Sequence, residues 1–216
     1  MVLRMSAAHV IVADVDGPVD EEDLHHLGRV LRLRAGEVVT LADGAGGWRT
    51  ARWTGDRIEA DGPVQHAPAP AVKVTVGFAP VKGDRPEWTV QKLTELGVDH
   101  IVVLRAARSV VRWDGGRGAA QLERLRRVAR AAAGQSRRCH LPLIEACDGI
   151  PDGALAHFGG EPIAAAGTPV MIGPEGGWTD EEVAGRVLVS LGPTVLRAET
   201  AAVAAGVLLT AARERA

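Results

Sequence analysis

The chain is poor in the residues on which several protein classes depend. Its 216 residues include two cysteines, Cys139 and Cys147, with no CxxC pair and no paired histidine spacing. That excludes a disulfide scaffold and leaves no zinc site; no metal is expected, and the thiols should stay reduced in the cytoplasm. No apolar run reaches the ~20 residues of a bilayer span, Ala201 to Ala212 being too short for one. The opening MVLRMSAAHVIVADVD meets aspartate before a long apolar core develops, so no signal peptide is expected. Neither GxGxxG nor GxxxxGK[ST] occurs, which disfavours a Rossmann or P-loop nucleotide site. Lysine is also scarce, with three residues, so arginine carries most of the positive charge.

What is present is the composition of an ordinary globular protein, 46% apolar and 24% charged, with a net charge of −2. Charge is unevenly distributed. Ten arginines lie between Arg105 and Arg138 against two acids, Asp114 and Glu123, while acids gather at Asp14 to Asp23 and Asp180 to Glu182. Such a belt suits a polyanion bound on one face, and equally suits a solvated helix face in a chain that favours arginine.

Strands are expected at His9–Ala13, Glu37–Leu41, Trp48–Trp53 and Arg57–Ala60, with a short helix opened by Asp20–Asp23. Residues 1–66 thus read as a small β-rich unit, a barrel with one helix, and Asp61–Pro70, with three prolines, as a linker. From 71 to 216 strands and helices alternate, which implies a mostly parallel sheet with helices on both faces. Strands are expected at Val72–Phe78, His100–Leu104, Leu141–Ala146, Pro162–Ala166, Pro169–Ile172 and Thr194–Leu196. Helices are expected from an Asp84 N-cap to Gly97, over Gln121–Ala133, from a Thr179–Glu182 capping box to Ser190, and over Glu199–Ala212.

Two segments stand out: Ile172-Gly173-Pro174-Glu175-Gly176-Gly177, and Leu191-Gly192-Pro193-Thr194-Val195-Leu196-Arg197-Ala198-Glu199-Thr200-Ala201. Each follows an apolar run and precedes a helix-like stretch. Loops at the carboxyl ends of strands are where α/β sheets bind small ligands, and glycine lets backbone approach a flat ligand closely. The two segments are therefore expected to form one composite pocket. Glu175 alone in its segment has proton chemistry, and capping of the following helix is an equal alternative for it.

GPEGGW followed by LGPTVLRAETA resembles the ribosomal small-subunit methyltransferase E family, the 16S rRNA uridine-N3 methyltransferases of the SPOUT superfamily. The likeness runs in order along nearly the whole chain: His25–Gly36 resembles HHLxxVLRLRxG, Lys82–Arg85 with Gln91–Val98 resembles KGDR…QKxTELGV, and Ser109–Arg112 and Gln135–Arg138 resemble the RSV and QSxR motifs. The chain departs from the pattern at Ala131–Gly134, where the family carries glutamates. Thr194 stands where arginine is common, and Ala198 where threonine is common. No acid or arginine role is assigned to the first two places.

The resemblance implies a SPOUT α/β-knot domain (deep trefoil knot) over 71–216, preceded over 1–66 by a PUA-like β-barrel that helps hold RNA. It implies S-adenosylmethionine as cofactor, 16S rRNA of the small subunit as partner, and a homodimer. By matching motif, the cofactor residues would be Ile172, Gly173, Pro174, Glu175, Gly176, Gly177, Leu191, Gly192, Leu196, Arg197, Thr200 and Ala201. Arg197 would stabilise charge on the uracil carbonyls or grip the target phosphate, and Glu199 would order Arg197 or sit near the sulfonium. Arg29, Arg32, Arg34, Lys82, Arg137 and Arg138 are the RNA-contact candidates. His25-His26, Trp48 and Trp53 are expected to pack, with RNA contact as the alternative. Two competing readings are methylation of another RNA atom, a ribose 2′-hydroxyl or a tRNA base, and a non-catalytic RNA-binding assembly factor.

Overall fold

The structure, a computed structural model, describes residues 2–113, 115–163, 167 and 169–215, without the side chain of Arg4. In chain order it runs α1 (Val2–Met5), β1 (Ala8–Ile11), α2 (Glu21–His25) with a π turn over His26–Val30, β2 (Val38–Ala42), β3 (Gly47–Trp53), β4 (Ile58–Ala60) and β5 (Gln65–His66). Then follow β6 (Thr75–Phe78), α3 (Arg85–Glu95), β7 (His100–Leu104), α4 (Gly115–Ser136), β8 (Leu143–Cys147), β9 (Ala154–Pro162), β10 (Val170–Ile172), α5 (Asp180–Val183), β11 (Leu188–Ser190) and α6 (Ala198–Arg213). The contacts group residues 1–70 with 130–141, and 71–129 with 142–216.

In the first unit the strands form one sheet in the order β1-β2-β3-β4, with β5 also on β3. β1 lies parallel to β2, while the pairs formed by β3 are antiparallel. β5 falls inside the segment expected to be a linker. Its prolines, Pro63, Pro68 and Pro70, flank the two paired residues, so no ladder donor is lost. Val10, Leu27, Val39, Leu41 and Trp53 fill the core of this sheet, and Trp48 packs on a second cluster with Ile11, Ala42, Ala133 and Cys139. Both tryptophans are thus packing residues.

The end of α4 belongs to this first unit for a physical reason. Ala132 and Ala133 are buried there, and a Cβ on Gly134 would lie 3.0 Å from the His9 carbonyl. That close approach favours glycine at 134, whereas Ala131 is exposed and nothing in its packing demands a small residue. Arg130 reaches Asp23 at 2.6 Å, and the Arg137 guanidinium donates to the Ser6 carbonyl at 2.8 Å.

The second unit is a six-stranded, all-parallel sheet in the order β11-β9-β10-β6-β7-β8. Alternate residues Val76, Phe78, Ile101, Val103, Ile144, Val170 and Ile172 share one core cluster with α3, α4 and α6. The intervening residues Leu104 and Met171 join Leu155, Trp178 and Val183 of the short α5 in another. The long helices therefore share one cluster, and α5 and loops supply the other. Burial of each such aliphatic side chain stabilises by roughly 1.5–3 kcal/mol.

Several expected boundaries shift. Thr179 does form the capping box, its hydroxyl accepting from the Glu182 amide at 3.3 Å and Glu182 accepting from the Thr179 amide at 2.8 Å. The helix ends at Val183, however, and 188–190 is strand β11. Thr194–Leu196 is loop, because β11 already takes the sheet position expected of it. The strand expected at Pro162–Ala166 falls in part outside the described residues; the paired segment is Ala154–Pro162. Asp84 is the α3 N-cap but makes no side-chain cap bond, since its ψ of 3° is not the extended conformation capping needs. Glu87, three residues on, reaches Arg124 at 3.0 Å. Asp114 of the arginine belt lies outside the described residues. Among the described residues no helix is long and apolar enough to cross a membrane.

His9 couples the first unit to pH. Its Nε2 donates to the Arg138 carbonyl at 3.0 Å, so the neutral ring accepts at Nδ1 from the Thr40 hydroxyl at 2.7 Å. Burial, and secondarily the charge of Arg137, push its pKa below the ordinary 6.5, outweighing the Arg138 carbonyl. The neutral form is therefore favoured in the fold. Stability is fully present above the unfolded value near 6.5 and is lost as pH falls below it, because the unfolded chain takes up a proton that the folded ring resists. Chemical denaturation at pH about 7.5 and about 5.5 should show a larger loss for the wild type than for His9→Gln, by up to ~1.4 kcal/mol per pH unit.

Candidate active site

In the second unit the pairing of β9 opens a gap in the sheet. Among the described residues β9 pairs with β10 at Ala154 and Leu155 alone. On its other edge, consecutive β11 residues Leu188 and Val189 pair with Leu155 and Glu161, so 156–160 bulge out of the ladder. Gly160 lies so close to β11 that a Cβ there would sit 2.6 Å from the Val189 nitrogen. The bulge turns Ala156, His157 and Phe158 towards the loops that leave β10 and β11, and a cavity of about 550 Å³ lies among them.

The first loop, 173–178, is held by contacts on every side. Gly177 donates its amide to the Pro174 carbonyl at 2.8 Å, closing a turn. Gly173 is packed so tightly that an added Cβ would lie 2.9 Å from the Trp178 ring. Trp178 is buried, and its indole N–H donates to the Ala156 carbonyl at 3.0 Å, tying the loop to the bulge. The Arg108 guanidinium donates to the carbonyls of Gly176 and Trp178 at 3.0 and 2.9 Å.

The second loop runs from Leu191 to Arg197, which is the N-cap of α6. Ser190 bonds with Gly192 at 3.2–3.3 Å through its hydroxyl. Gly192, at φ +138°, adopts a backbone conformation that side-chain-bearing residues rarely take. Beside both loops stands Arg85, whose Nη1 lies 3.0 Å from Glu175 and 3.5 Å from Glu199. The hydrogen bond to Glu175 raises the Arg85 pKa further above its usual value. Glu199 is mostly buried, and its second carboxylate oxygen has no hydrogen-bond partner.

Of the candidate cofactor residues, Ile172, Gly173, Pro174, Glu175, Gly177, Leu191, Gly192, Leu196, Arg197 and Ala201 line this cavity, whereas Gly176 and Thr200 do not. Arg197 is exposed and lies in the wall. Glu199 faces Arg85 rather than Arg197, and Glu175 takes the same partner; capping of α5 falls to Glu182. Arg29, Arg32 and Arg34 are exposed in the first unit, as is Lys82 in the second. Arg137 is tied to the Ser6 carbonyl, and the Arg138 carbonyl serves His9. Arg85, Arg108, Trp178, His157 and Phe158 escaped the sequence reading. Arg85 sits in the KGDR block and Arg108 just before RSV, but neither spacing tells which carbonyl or carboxylate a guanidinium will meet. Among the described residues no group of three His, Cys, Asp or Glu side chains could hold a metal.

Residues 68–210 match the RNA methyltransferase domain family, and residues 19–60 match the RNA methyltransferase PUA domain. A ribosomal RNA small subunit methyltransferase E from Mycobacterium bovis is 35% identical over 221 residues, covering 87% of this chain and 83% of the relative. The chain belongs to the ribosomal RNA small subunit methyltransferase E family. A solved member of the methyltransferase E family, from Neisseria gonorrhoeae and bound to S-adenosyl methionine, has 29% identity and a TM-score of 0.74, over 92% of this chain and 94% of that one. A methyltransferase from Legionella pneumophila with bound cofactor SAM has 26% identity and a TM-score of 0.77, over 95% and 96% of the two chains. The fold is thus that of the SPOUT methyltransferases with an N-terminal PUA domain, as the methyltransferase E resemblance implied.

In this methyltransferase E chain Arg85 is shared, among the described residues, by Glu175 of the first loop and Glu199 of the first turn of α6. Replacing Arg85 with alanine should speed amide exchange over 173–178 and the first turn of α6, while the β6 and β7 amides stay protected; hydrogen–deuterium exchange checks both.

Proposed function

We propose that the chain transfers a methyl group from S-adenosylmethionine to N3 of a uridine in 16S rRNA of the small ribosomal subunit, acting in the cytoplasm as a homodimer. The observation that carries this reading is the cavity of about 550 Å³ between the two glycine-bearing loops, in a chain of this family. That volume lies within the ~300–1,000 Å³ of small-molecule pockets. The lining suits an adenosine-bearing ligand. Ile172, Leu191, Leu196 and Ala201 supply apolar surface, and bare backbone at Gly173, Gly177 and Gly192 allows close approach. We assign these residues to the cofactor, with Pro174, Glu175, Arg197 and, at the margin, Gly176 and Thr200. When bound, the cofactor supplies an electrophilic methyl group.

N3 of uracil carries a proton and is a poor nucleophile at neutral pH. The chain's task is to place N3 in line, to take the proton and to stabilise the charge left on the carbonyls. Arg197, exposed at the cavity wall, has no ion-pair partner among the described residues and is free to face that charge. His157 and Glu175 are the proton-accepting side chains of the wall. Glu199 acts at one remove, fixing Arg85 beside the first loop. In this reading the unit over residues 1–66 presents Arg29, Arg32 and Arg34 to RNA phosphates, Arg137 and Arg138 remaining candidates, and the C-terminal part threads the trefoil knot that the family resemblance implies.

Primer extension across small-subunit rRNA from a deletion strain, with and without the gene added back, tests the activity. A stop at one uridine should appear only with the gene; its absence, with cofactor bound in calorimetry, would favour a binding factor. Arg197→Ala should lower turnover by ~10²–10³-fold while cofactor affinity falls much less. Gly173→Val should abolish cofactor binding in calorimetry, since its side chain must displace the Trp178 ring.

A further inference from the structure

The RSV motif and the two arginines after it, Arg112 and Arg117, line no part of the cofactor cavity, whereas Arg108 before it holds that cavity's first loop. In the second unit, three adjoining cavities of about 320, 340 and 280 Å³ all share Arg112. Val111 and Trp113 line the first and third, and Arg105 and Asp148 line the second and third. Together they form a furrow along the carboxyl ends of β6, β7 and β8, bounded by Lys82 after β6, Arg105 after β7 and Asp148 after β8. Pro86 and Glu87 of α3, and Arg117 and Gln121 of α4, complete the first cavity.

Among the described residues the charge of this furrow is unbalanced. Glu87 is engaged by Arg124 at 3.0 Å, and Asp148 is paired with Arg105. Lys82, Arg112 and Arg117 are exposed, and among the described residues none makes an ion pair. Between the latter two sits Trp113, half-buried, packed against the main core cluster while lining the furrow. The segment that bounds the furrow also bounds the cofactor cavity: Arg85, two residues before Glu87, reaches Glu175 in that cavity's wall.

We propose that the furrow binds single-stranded RNA flanking the target nucleotide, with phosphates on Arg112 and Arg117, assisted by Lys82, and a base stacked on Trp113. Alternation of cations with an aromatic platform is the chemistry that holds single strands, because every base has a π face and every linkage a charge. A duplex keeps its bases stacked internally and gains nothing from Trp113. This site rests on the methyltransferase reading and extends it, since it fixes the side from which the strand approaches the cavity.

The test uses the full chain and a uridine-containing single-stranded ribo-oligonucleotide, with a duplex of equal length as comparison. Arg112→Gln/Arg117→Gln should weaken single-strand binding at least tenfold and flatten the dependence of log affinity on log salt by ~1.4, at about 0.7 per phosphate contact. Trp113→Leu, which keeps apolar bulk against the core, should weaken single-strand binding at least ~fivefold and leave duplex binding unchanged. Unchanged single-strand affinity and salt slope in the double variant, in protein that still melts like the wild type, would overturn the proposal. Equal weakening of duplex and single strand by Trp113→Leu would overturn it too. Calorimetry with S-adenosylmethionine alone separates the two readings: failure of the wild type to bind cofactor sinks the methyltransferase assignment, while RNA affinities still judge the furrow.

Discussion

Strand direction is the constraint from which the site follows. In the six-stranded sheet every recorded pair is parallel, so all the loops that follow strands emerge at one edge. A parallel sheet must be covered, and the cluster built from β6, β7, β8, β10 and the three long helices supplies that cover. In the order β11-β9-β10-β6-β7-β8 the chain leaves β6 towards β7 on one side and β10 towards β11 on the other. Ligand crevices of open α/β sheets lie at such a reversal, beyond the carboxyl ends of the strands. Both the cavity among the loops after β10 and β11 and the furrow beyond β6, β7 and β8 stand at that edge.

The loops themselves are held by packing and by captured backbone more than by charge. Arg108 occupies two carbonyls of the first loop, and the Trp178 ring is wedged against Gly173 while its N–H takes the Ala156 carbonyl. These fix the shape of the loop without using any group that could react. Of the Arg85 pairs, the one with the exposed Glu175 carboxylate is weakened by solvent. Their service is positional, one cation keeping two carboxylates on the rim beside α3. Among the described residues Arg197 has no ion-pair partner.

Much of the organisation was legible from residue patterns. The apolar runs at 38–42, 100–104 and 170–172 became strands, and the helix ending at Gly97 and the one starting after Arg197 lie where their stop and start signals put them. The errors cluster around β9. β9 contains His157, Phe158, Gly159, Gly160 and Glu161, which show little strand character, yet its two ends pair, with β10 at Ala154 and Leu155 and with β11 at Leu155, Glu161 and Pro162, because these neighbours need a partner. Once β11 takes the edge beside it, Thr194–Leu196 has no sheet position to fill. Propensity loses here to the tertiary demand for paired backbone. Asp84 and Glu87 are a similar case: their spacing suits a cap, but Arg124 offers Glu87 a stronger, charged partner.

The linear order of residues determined the family, the alternation of strands and helices, and the two glycine-bearing segments, because each depends on local periodicity or on a motif readable in sequence. It could not determine which side chains meet across the fold. That Arg85 would serve Glu175 and Glu199, that a bulge in β9 would turn His157 into the cavity, and that residues 130–141 would join the N-terminal unit were decided by tertiary structure alone. Such contacts join residues up to 131 positions apart, as at Ser6 and Arg137, and no local pattern specifies them. They are fixed only when burial and backbone pairing have brought the elements together.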